Sequence, residues 1–62
     1  MSNKREWTPY PENKPTDEKD YLVEVKFPTG KIIATGAIWL PELDRWDRLN
    51  EMIIAWQEEI YD

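Results

Sequence analysis

The chain has 62 residues, 40% hydrophobic and 13% aromatic, with 8 Lys plus Arg against 13 Asp plus Glu and a formal charge of −5. It has no Cys and no His, so disulfides are excluded and a structural zinc site would rest on carboxylates, a poor ligand set for that ion. A single domain, 1–62, of this size buries only about 60% of the surface its unfolded chain exposes, so its four Trp, three Tyr and one Phe must compensate for the missing staples.

Residues 1–20 hold Pro9, Pro11 and Pro15. Each proline fixes φ, and each pushes the preceding residue away from the helical region. The pattern predicts an extended, Pro-rich N-terminal arm that lies across a body formed by 21–62 and is pinned by Trp7. The polar run 16–20 reads as a turn. Tyr21, Val23, Val25 and Phe27 then alternate with Leu22, Glu24 and Lys26, the period of a strand with one buried face. Pro28-Thr29-Gly30 supplies a tight connection, and 31–39 reads as the returning strand of an antiparallel hairpin. Gly36 within it suggests a bulge or a close-packing point.

The last third supports two readings. Leu43, Trp46, Leu49, Ile53, Trp56 and Ile60 fall at helical spacing, with Pro41, Glu42 and Asp44 suited to a helix start. Met52-Ile53-Ile54-Ala55-Trp56 is equally a dense apolar run of the kind that forms a buried strand, and periodicity does not separate the two.

The charge is unevenly placed. Six basic and six acidic residues cancel over 1–41, whereas 42–62 carry Arg45 and Arg48 against seven carboxylates and hold the whole excess. This argues against direct nucleic-acid binding, which needs Lys and Arg to displace counterions from phosphates. It is consistent either with charge used for solubility or with an acidic face for a basic partner protein. Asp44, Asp47, Glu51, Glu58 and Glu59, with the aromatics Trp46 and Tyr61 as anchors, are the candidate partner-binding residues. Catalysis is not expected: the usual histidine base and cysteine nucleophile are absent, and Ser2 is the only serine. The acidic pairs Asp17/Asp20, Asp44/Asp47 and Glu58/Glu59 lack the convergent oxygens and spacing of a cation loop. No cofactor, no metal and no membrane segment is expected, since the apolar runs fall far short of the roughly 20 residues that span a bilayer.

The order Trp7, Pro15, an acidic turn, Tyr21-Leu22-Val23, a Gly-containing turn, a strand ending at Trp39, an isolated Trp46 and a closing Ile53-Ile54-Ala55-Trp56 resembles the small phage and prophage proteins of domain-of-unknown-function family 551. The likeness runs from residue 7 to about 57. It departs at the end, where relatives carry a Pro-containing tail and this chain has Gln57-Glu58-Glu59-Ile60-Tyr61-Asp62. The resemblance implies that the closing Ile53-Ile54-Ala55-Trp56 segment is a strand completing a small antiparallel sheet, with Trp46 on a short strand before it, and so favours a small mostly-β fold with an antiparallel sheet of three to four strands. The α+β alternative is a β-hairpin packed on a C-terminal helix, 42–60. The resemblance also implies a phage origin, a host-cell cytoplasmic location and no catalytic residue. The expected function is a non-enzymatic accessory protein that binds a host or phage protein with a basic surface, in one form inhibiting a defence nuclease as anti-CRISPR or anti-restriction proteins do. The alternative is a self-associating structural phage protein, a homodimer or larger, without a host target.

Overall fold

A computed structural model describes residues 6–58, as five strands and one 3-10 turn: β1 (Thr8–Pro9), β2 (Asp20–Lys26), β3 (Ile32–Leu40), β4 (Arg45–Trp46) and β5 (Ile53–Glu58), the 3-10 turn being Asn50–Met52. All neighbours are antiparallel, in the order β1-β5-β2-β3-β4. The fold is the small mostly-β antiparallel sheet expected, with five strands rather than three to four; β1 and β4, two residues each, form its edges.

The hairpin follows from its sequence. Tyr21, Val23 and Val25 are buried and alternate with partly or fully exposed Leu22, Glu24 and Lys26, as the period of two requires. At the turn, the Phe27 N–H donates to the Lys31 carbonyl and the Gly30 N–H to the Phe27 carbonyl, both at 2.8 Å. Gly30 sits at φ 96°, a left-handed conformation that a side chain would strain.

Gly36 is neither a bulge nor a close-packing point, which corrects that expectation. The β2–β3 register runs unbroken from Asp20 opposite Ile38 to Lys26 opposite Ile32, and nothing lies within 4 Å of where a Gly36 Cβ would stand. The irregularity lies on β5 instead: Glu24 faces Ala55 and Val25 faces Ile53, leaving Ile54 as the extra residue. The Ile54 carbonyl accepts the Tyr10 N–H at 3.0 Å, so the residue outside the β2 ladder anchors the incoming N-terminal segment.

One face of the sheet carries the core of Tyr21, Val23, Val25, Ala37, Trp39, Trp46 and Ile53, with Tyr10, Phe27, Ile33, Leu49, Met52 and Trp56 packed against it. Trp46 is its centre. It meets Trp39 edge to face at 5.1 Å and both Tyr10 and Tyr21 at 5.8 Å, and Tyr21 continues to Trp56 at 5.3 Å. Each such pair contributes about 0.5–1.5 kcal/mol beyond its buried area, a sizeable share in a small domain without a disulfide.

Candidate functional site

The connection between β3 and β5 carries three of the predicted partner-binding carboxylates. Its first turn is tightly tied, with the Leu40 carbonyl accepting the N–H of Leu43 at 3.1 Å and of Asp44 at 2.8 Å. Asp44 takes φ 58°, a left-handed conformation that Asp tolerates better than most residues. Its carboxylate is 2.8 Å from the Lys14 ammonium, which it holds protonated above the ordinary 10.5 through that hydrogen bond. The N-terminal segment and the 41–44 turn are thereby joined.

Further along, the connection turns onto the core face. Asp47 pairs with Ile38 by both its backbone N–H and its carboxylate, each at 2.9 Å. Asn50 Oδ1 accepts the Trp46 backbone N–H at 3.0 Å and the Tyr10 hydroxyl at 3.2 Å. Leu49, at φ 56°, and Met52 pack on the core. What faces outward is Glu42, Leu43, Asp44, Arg45, Asp47, Arg48 and Glu51. Leu43 is 65% exposed, the barest large apolar side chain among the described residues.

The predicted residues therefore separate. Asp44, Asp47 and Glu51 share this connection. Glu58 stands on β5 opposite Tyr21, with the Lys19 ammonium 3.9 Å away. Trp46 is fully buried, and its place as a surface anchor is corrected: it stands edge to face with Tyr10, Tyr21 and Trp39 at the centre of the core. Glu59 and Tyr61 lie outside the described residues. Asp44 is offset by its ion pair with Lys14, and the Asp47 carboxylate is occupied by the Ile38 amide. Glu42 and Glu51 carry no such tie among the described residues.

Leu43 and Glu42 did not stand out in the sequence as surface contacts, where Leu43 matched the helical spacing and Glu42 suited a helix start. Among the described residues no group of three or more His, Cys, Asp or Glu is gathered to hold a metal ion, and no helix is long and apolar enough to cross a membrane. Comparison with family models, with curated proteins and with solved structures finds no match for the chain.

Proposed function

We propose that the chain is a non-enzymatic phage or prophage accessory protein that binds a host or phage protein carrying a basic surface. The observation behind this reading is Leu43, an apolar side chain left 65% exposed on a turn fixed by three backbone hydrogen bonds and by the Lys14–Asp44 ion pair, with Glu42 and Asp44 on either side. A rigid apolar tip flanked by carboxylates loses little conformational entropy on docking, and the charge steers encounter with a basic partner. The phage origin rests on the resemblance to domain-of-unknown-function family 551. In its sharper form the partner is a host defence nuclease, CRISPR or restriction type, whose basic nucleic-acid channel the acidic connection enters.

The test is capture of a bacterial lysate protein on immobilised chain, followed by measurement of that protein's binding to nucleic acid with and without the chain. Competition between the chain and nucleic acid is the expected result. A captured protein whose nucleic-acid binding is unchanged removes the nuclease form, and absence of any specific capture removes the binding reading.

A further inference from the structure

Among the described residues the sheet leaves one long edge uncovered. β3 is paired from Ile32 to Ile38 with β2 on one side, but on the other β4 covers only Trp39 and Leu40, and Asp47 takes both backbone groups of Ile38. Lys31 and Trp39 turn their backbone groups toward the β2 side, where the Lys31 carbonyl accepts from Phe27 and the Trp39 N–H donates to the Lys19 carbonyl. By the alternation of an antiparallel ladder, Ile32, Ala34 and Gly36 point their N–H and C=O groups outward, as Ile38 does. Among the described residues nothing pairs with these three.

Edges of this kind are usually blunted by charge, proline, bulges or shortness. The other margins follow that rule: β1 is two residues long and ends on Pro9, and β4 is two residues long and carries Arg45. β3 does not. Its nine residues contain no charge and no proline, and its open part begins with Ile32, 49% exposed.

We propose that a second copy of this chain adds its own β3 antiparallel along this edge, on a two-fold axis through Ala34. This register pairs Ala34 with Ala34 and Ile32 with Gly36 of the other copy, so all three outward residues of each strand find partners. Centring the axis one residue either way leaves one outward residue of each strand unpaired. The side chains fit the same register. Ile32 and Gly36 lie on one face of the sheet, where the space above Gly36 is open, and the exposed Ile32 of one copy fills it in the other. On the opposite face Ile33 meets Thr35, a β-branched pair of the kind that stabilises cross-strand contacts. Asp47, at Ile38, ends the open stretch. This inference does not depend on the acidic connection or on any host partner.

Sedimentation equilibrium over roughly 5–500 µM, the range in which a small interface dissociates, should show the mass rising from one 7.5 kDa chain to two. Ala34→Pro removes an outward N–H while leaving the β2 ladder intact, and Ile32→Lys places a charge on the edge; both should stay monomeric with unchanged far-UV circular dichroism. If Ala34→Pro fails to fold, Ile32→Lys decides. Because the chain has no Cys, Ala34→Cys should oxidise to a covalent dimer, as the paired Cα spacing of about 5.5 Å permits, whereas Lys26→Cys on the neighbouring strand should not. A wild-type chain monomeric throughout the range, dimerisation unaffected by Ile32→Lys, or equal cross-linking at 26 and 34 would overturn the proposal.

Discussion

Asp47 holds Ile38 from both ends: its backbone N–H donates to the Ile38 carbonyl and its Oδ1 accepts the Ile38 N–H, each at 2.9 Å. One residue thus supplies what a continuing strand would, just beyond the end of β4 at Trp46. Asp47 acts first in the fold, although its sequence context suggested a partner contact. Asp47→Ala should lower stability by about 1 kcal/mol, the usual contribution of one hydrogen bond. Asp47→Asn, which keeps the acceptor, should recover most of it. Urea midpoints for the two variants check this; equal loss in both would contradict the assignment.

Asn50 joins two segments distant in sequence, since one carbonyl oxygen accepts from the Trp46 backbone and the Tyr10 hydroxyl. Asn50→Ala leaves both part-buried donors without this acceptor and should cost about 1–3 kcal/mol, the penalty for unsatisfied groups. Asn50→Asp should cost less. In the cycle with Tyr10→Phe, the two losses should not add, because the residues share a contact.

Trp46 is fully buried, yet its indole N–H has no hydrogen-bond partner. Trp46→Ala should cost roughly 3–5 kcal/mol, comparable with the whole stability of a domain of this length at about 0.05–0.15 kcal/mol per residue, and should abolish a cooperative thermal transition. Trp46→Phe keeps an aromatic ring and removes the unpaired donor, so it should retain a cooperative transition at a lower midpoint. Thermal melts followed by circular dichroism distinguish the two outcomes.

Burial pushes the Tyr21 phenol above its ordinary 10.0, with Asp17 and Glu58 adding to the effect. The folded state therefore holds the proton more tightly than the unfolded chain. Its contribution is fully present below pH 10 and is lost as pH rises from there through the folded pKa. Lys14, raised above 10.5 chiefly by its hydrogen bond to Asp44, contributes in the same direction from that pH upward. Stability measured by urea unfolding should be flat approaching pH 10 and fall above it, and Tyr21→Phe should reduce the fall. An unchanged alkaline slope in Tyr21→Phe would contradict the role assigned to burial.

The hairpin was legible because Tyr21, Val23 and Val25 alternate cleanly and Pro28-Thr29-Gly30 has one economical conformation. The last third was not, for a physical reason. Trp46, Leu49, Ile53 and Trp56 reach one core from a strand, a loop, and a second strand, and the resulting spacing imitates a helix. Leu43 shared that spacing but faces solvent. β1 escaped notice because two residues ending on proline carry no strand period; its pairing comes from Thr8 and Pro9 meeting Trp56 and Ala55. The acidic excess was visible in the count, whereas the pairing of Asp44 with Lys14 and of Asp47 with the Ile38 amide depends on contacts between residues 30 and 9 positions apart.

The most direct test of the binding account is capture of the lysate partner by a variant changed only at the two free positions, Leu43→Ser with Glu42→Lys, beside wild type and beside Lys26→Glu on the far end of the hairpin. Neither Leu43 nor Glu42 supports the core with its side chain, so all three proteins should melt alike. Capture should fall at least tenfold in the double variant and stay unchanged in Lys26→Glu. Undiminished capture by a folded Leu43→Ser, Glu42→Lys chain would contradict the assignment of the 41–51 connection as the binding surface.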